Sequence, residues 1–133
     1  MGITVNWDND EKTVIRTTFD GRWTLEDFWN AVQDQYRLMD EIPYKVNFIS
    51  DFRNSGMLPS GALSHARRLI STKQHVHTGP ISVVVGANRF IQSFFGLLNK
   101  VYSDTARKHR IIFASTIEEG RALLATHQET PSS

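Results

Sequence analysis

The chain has no cysteine, which excludes disulfides, thiolate metal ligands and a cysteine nucleophile. It has almost no net charge, since fifteen Lys and Arg against fourteen Asp and Glu leave +1. Sequence-independent binding to nucleic acid therefore loses its main electrostatic drive. No apolar run is long enough to cross a bilayer, and there is no internal repeat or low-complexity stretch. The opening "MGITVNWDNDEK" lacks the basic-then-apolar build of a signal peptide. Gly2 follows the first Met, but Asn6 stands where a myristoylation signal has Ser or Thr. These absences leave the expectation of a cytoplasmic, cofactor-free domain that neither enters a membrane nor binds nucleic acid.

What is present suits one domain. The 133 residues, 40% hydrophobic and 22% charged, are enough to enclose a core. "ITVNW" and "KTVIRTTF" are β-branched and aromatic and flank the turn-forming "DNDE", which predicts an N-terminal β-hairpin. In "TLEDFWNAVQDQYRLMD", Thr24 is an N-cap with Asp27 three residues on. Leu25, Phe28, Trp29, Val32, Tyr36 and Met39 then form one apolar stripe at helical spacing. "YKVNFIS" reads as a strand and "SGALSHARRLISTK" as a helix on Leu63, Ala66, Leu69 and Ile70. "ISVVVGA" is a continuous run suited to a strand covered on both faces. "NRFIQSFFGLLNKVYSD" is a third helix, "RIIFA" a strand, and "STIEEGRALLATH" a last helix capped by Thr116 with Glu119. The expected fold is α/β (α+β), in the order β-β-α-β-α-β-α-β-α. It has a mixed sheet of about five strands that starts with an antiparallel hairpin and carries helices packed on it. A single domain spans 3–125 and a flexible tail 126–133. Strand order stays open, because the hairpin fits at an edge or inserted centrally.

Candidate sites are few. The stretch "FISDFRNSGMLPSGALSHARRL" carries an apolar strand that is expected to end on Asp51. A polar loop with Asn54-Ser55-Gly56 as a turn follows, and then a helix that begins near Ser60. Loops at the carboxyl ends of parallel strands are the usual place for function. Ser60 is first of all an N-cap for the helix after Pro59 and ahead of Gly61. A phosphate on Ser60 would sit at the positive end of that helix, within reach of Arg53, Arg67 or Arg68. In the third helix Phe90, Ile91, Phe94, Phe95, Leu97, Leu98, Val101 and Tyr102 cover more than the one stripe a sheet requires. The surplus, taken as Phe90, Phe94, Phe95, Leu98 and Tyr102, is open to burial within the domain, in a homodimer, or against an apolar ligand. Arg89 near its start adds the option of an anionic ligand.

His75 and His77 share a side if extended, with His65 in the helix before them. No nearby acidic residue completes a ligand set, so no metal is expected. "GANRF" is not a phosphate loop, and no Gly-x-Ser-x-Gly elbow occurs. Glu118 and Glu119 diverge on a helix, and "DNDE" lacks the glycine and distal glutamate of a calcium loop. The three tryptophans suit core or interface packing. An enzyme would have to draw on His65, Asp51 and Arg53 converging at one end of the sheet.

The element order, with "TFDGRWTLEDFWNAV", "VNFISDF", "ISVVVGA" and "RIIFASTIEEGRALL", resembles the STAS domains, especially their SpoIIAA-like branch, over residues 3 to 125. The resemblance implies a non-enzymatic regulatory or protein-interaction module with a protein partner. In the regulatory form a phosphorylatable serine opens the helix after the middle strand, within an Asp-Ser-Ser-Gly-like motif. Carried onto this chain, it points to Asp51 and to Ser60-Gly61, although Pro59 stands before Ser60 in place of an Asp; Ser55, in the same stretch, is a second candidate position for a phosphate. Many members of that branch lack the switch.

Overall fold

The computed structural model describes residues 2–103 and 109–128, the side chains of Tyr102, Ser103, His127 and Gln128 excepted. Five strands and four helices follow the expected order: β1 (Gly2–Trp7), β2 (Val14–Gly21), α1 (Leu25–Asp40), β3 (Val46–Ser55), α2 (Ala62–Ser71), β4 (Thr78–Val85), α3 (Arg89–Ser103), β5 (Arg110–Ala114) and α4 (Ile117–Gln128). The sheet order is β1-β2-β3-β4-β5. β1 runs antiparallel to β2, and the other three pairings are parallel. The hairpin thus lies at the edge, which settles the placement that the sequence leaves open. α4 continues to Gln128, three residues past the expected domain end, and residues 129–133 of the expected tail lie outside the described residues.

Local chemistry explains each junction. In the hairpin turn Asn9 closes on Thr13 through two hydrogen bonds, and Lys12 takes the left-handed conformation with φ 57. Thr24 and Asp27 form the reciprocal capping box at the start of α1, each satisfying an amide that the helix leaves unpaired. At α4 the Glu119 amide donates to Thr116 Oγ1, while the Glu119 carboxylate accepts from the Ser115 amide, one residue before the expected partner. Asn88 Oδ1 accepts from the Ile91 amide and opens α3.

The strands of the parallel part follow one another across the sheet. Each right-handed crossover therefore lays its helix on the same face. Alternation within the strands then sorts the core. Phe19, Phe52, Val84 and Ile111 pack beneath α2 and α3, and Ile15, Val46 and Phe48 beneath the C-terminal part of α1. Val14, Ile49, Ile81, Val83 and Val85 point to the opposite face, where Ile117 and Leu124 of α4 cover them. β4, covered on both sides, is the continuous apolar run that its sequence suggests.

Candidate functional site

The residues singled out around the β3–α2 loop do not form the site expected of them. β3 does not stop at Asp51 but continues to Ser55, paired with β2 beyond the point where β4 ends. Asn54 and Ser55 are therefore strand residues, not a turn. The Ser55 hydroxyl accepts from Trp23 Nε1 at 3.0 Å and donates to the Gly56 carbonyl. Ser60 is exposed and is not the cap of α2. That position belongs to Gly61, in the left-handed region with φ 85 and with no side-chain capping bond. A glycine takes this backbone shape without the steric cost that a serine would meet.

Asp51 is buried in mid-strand, 2% exposed. Its carboxylate accepts from the Arg53 backbone amide at 3.0 Å and from Nε and Nη2 of Arg53 at 2.9 and 2.8 Å. Arg16 Nη2 stands 3.3 Å away. Burial alone would raise its pKa, but the hydrogen bonds from Arg53 and the charges of Arg53 and Arg16 outweigh that and leave it lowered. Arg16 reaches on to Asp8, which Arg121 of α4 holds in two hydrogen bonds of 2.9 and 3.0 Å. This chain of charges ties the hairpin, β3 and α4 together on the α4 face. Its side chains satisfy one another, so it reads as structure.

His65 lies in α2 on the other face and accepts from Trp29 Nε1 at 2.8 Å, with Arg68 stacked over the same indole. His65, Asp51 and Arg53 are thus on opposite sides of the sheet, which ends the idea of their convergence. His75 pairs with Asp40 at 2.7 Å, and His77 Nδ1 lies 2.9 Å from the Met39 carbonyl. They pin the α2–β4 connector to the end of α1. Asp40 is the acidic neighbour that sequence distance hides, yet no group of three or more metal-ligating side chains forms among the described residues.

The surplus apolar residues of α3 divide. Leu98 is buried, Phe94 and Phe95 are half-buried against the core, and Phe90 is 83% exposed. The side chain of Tyr102 lies outside the described residues.

Phe94, Phe95 and Leu98, three of the residues singled out as a dimer or ligand surface, also line a cavity that spacing does not reveal. It lies beneath α1, α2 and α3 and has a volume of about 170 Å³. α2, ten residues long, covers it together with α3, and its Ala66 and Ile70 belong to the same core cluster as Phe19, Phe52 and Val84 of the sheet. The cavity's roof is Phe28, Val32 and Met39 of α1, Ala66 and Ile70 of α2, and the three α3 residues. Its floor is the sheet, with Phe19, Phe48, Phe52, Val84 and Ile111. Among the described residues no Asp, Glu, Lys or Arg lines it.

A narrow polar strip crosses this apolar floor. Thr17 of β2 is paired with Ser50 of β3, and Gln35 Nε2 donates to Thr17 Oγ1 at 2.9 Å. Ser82 of β4 lies diagonally beyond Ser50, since Phe48 is its paired residue. Its hydroxyl meets His109 Nε2 at 2.8 Å, and His109 Nδ1 lies 3.1 Å from the Gly79 carbonyl. Only an N–H faces a carbonyl favourably, so Nδ1 carries the proton and Nε2 accepts from the Ser82 hydroxyl. Burial pushes the imidazole below its ordinary pKa, outweighing the opposite effect of its bond to Gly79. The β3–β4 register slips between Val46 and Phe48, and Gly79, whose carbonyl faces His109, lies in the slipped stretch of β4. The Ile81 amide donates to Oδ1 of the buried Asn47 side chain at 3.1 Å. Pro80, which has no amide to satisfy, fits the same irregularity.

Comparison of the chain with family models, with curated proteins and with solved structures finds no match.

Proposed function

We propose that the protein binds a small apolar molecule in the cavity beneath α1, α2 and α3, as a carrier or sensor. The observation that carries this is a cavity of about 170 Å³ lined mainly by aromatic and aliphatic side chains, with a few hydroxyl, amide and imidazole groups and no Asp, Glu, Lys or Arg among the described residues. Apolar cavities of about 150 Å³ take up benzene-sized molecules, and convergence of a few polar groups in such a space is the usual mark of a ligand site. The test is thermal melting in buffer saturated with benzene, beside the variant Ala66→Leu. Ala66 is buried in the roof, so added methyl groups there fill the space. Benzene is expected to raise the melting temperature of the wild type and not of the variant. A wild type indifferent to benzene and to longer alkanes removes the proposal.

A second reading has its own observation. Met57 and Phe90 are 90% and 83% exposed, and they follow the carboxyl ends of β3 and β4. Large apolar side chains in water at one end of a sheet favour a contact surface, for a protein partner or a second copy of the chain. This is the regulatory module that the resemblance to STAS domains implies, with Ser60 in the same loop. Ser60→Asp is then expected to weaken partner recovery from native extract without lowering the melting temperature. Unchanged recovery, together with a monomer in the native mass spectrum, counts against it.

A further inference from the structure

The polar strip on the cavity floor has more hydrogen-bonding capacity than its own contacts use. Ser50 lines the cavity, and its hydroxyl has no hydrogen-bond partner among the described residues. It is flanked by Thr17, whose oxygen accepts from Gln35, and by Ser82, whose proton is committed to His109. Ser82 Oγ therefore keeps acceptor capacity, and Ser50 Oγ keeps both donor and acceptor capacity. These hydroxyls sit in the middle of a floor otherwise made of Phe48, Phe52 and Val84. Ser50 and Ser82 are only partly buried, so water reaches them, and a ligand that displaces this water must replace its hydrogen bonds.

From this we infer that the cavity selects an uncharged molecule about the size of one substituted six-membered ring, bearing a hydroxyl or N–H that pairs with Ser50 and Ser82. The inference rests on the proposed binding function and supplies its ligand class. The apolar ring occupies the space between Phe52, Val84 and the α1 and α3 side chains. A ligand hydroxyl donates to Ser82 Oγ and accepts from the Ser50 hydroxyl, whereas a ligand N–H donates to one of the two oxygens. Carboxylates and ammonium groups are rejected, because no opposite charge among the described lining residues offsets the loss of their hydration.

Titration calorimetry of the full chain with benzene, phenol and benzoate at neutral pH tests this. The two added hydrogen bonds predict that phenol binds about five- to a hundredfold more tightly than benzene, and benzoate not measurably. Ser50→Ala and Ser82→Ala should each shrink the preference for phenol and leave benzene affinity within about twofold, so a fold defect in either variant shows as a loss of benzene binding. Benzene and phenol bound equally, or benzoate bound as well as phenol, overturns the ligand class while leaving the cavity as a binding site. Binding of none of the three overturns the class and the proposed function together, with the hydroxyl strip then holding water.

Discussion

At Gly79 a Cβ would collide with the main-chain carbonyl of Val46 and with the amide oxygen of Asn47. The same residue presents the carbonyl that orients His109. Gly79→Ala is therefore expected to cost about 1–3 kcal/mol, the range for overpacking a tight contact, and to disturb the Ser82–His109 pair. Urea unfolding and the His109 imidazole resonances would measure both effects. Asp51 and Ser60, which the sequence sets side by side as site candidates, should behave oppositely. Asp51→Asn removes a buried acceptor of several charge-assisted bonds and is expected to lose about 2 kcal/mol, since its arginine partners stay partly hydrated. Ser60→Ala touches an exposed side chain that caps nothing and should stay within about 0.5 kcal/mol. Denaturant titration of the pair decides whether the polarity of this stretch belongs to the core or to the surface.

At the scale of the elements, α1 and α3 differ in how plainly their roles are written. α1 carries its cap, its box and its stripe in consecutive residues. Thr24→Ala should cost about 1 kcal/mol, in line with the loss of one N-cap bond, as read by chemical unfolding. α3 carries more apolar residues than one face can use, and spacing alone does not say which ones meet the sheet. Leu98→Ala, at a site 5% exposed, is expected to cost about 2–5 kcal/mol. Phe90→Ser should leave stability within about 0.5 kcal/mol of wild type. If Phe90→Ser destabilises as much as Leu98→Ala, the surface assigned to the start of α3 is wrong.

For the molecule as a whole, His109 and Asp51 link stability to pH in the same direction. Burial keeps His109 below its ordinary pKa, so the unfolded chain takes up a proton at this position before the folded one does. The stability that it contributes is complete above its unfolded pKa of about 6.5 and is lost as pH falls toward the folded value. Asp51, also lowered in the fold, adds stability above about pH 3.9 that is lost as pH falls further. Melting temperature should therefore decline from pH 7 to pH 5 and again below pH 4. His109→Gln should flatten the first decline and leave the second, as followed by circular dichroism across a pH series.

Period and punctuation were enough to determine the nine elements, their order and the antiparallel start. These features depend on neighbours within a few residues: the alternation in "TVIRTTF", the cap at Thr24, the unbroken β-branched run of β4. The candidate site was not legible in the same way. Asp51 looks like the polar end of a strand because its arginine partner Arg16 lies 35 positions away. Ser82 and His109, 27 positions apart, meet only after β4 and β5 pair. Spacing marks Phe94, Phe95 and Leu98 of α3 as surplus apolar residues, but the cavity that they help to line takes its other walls from α1, α2 and four strands distant in the chain. A sequence records which faces are apolar, whereas a void is set by how far the covering helices stand from the strands, and only the packed tertiary structure determines that distance.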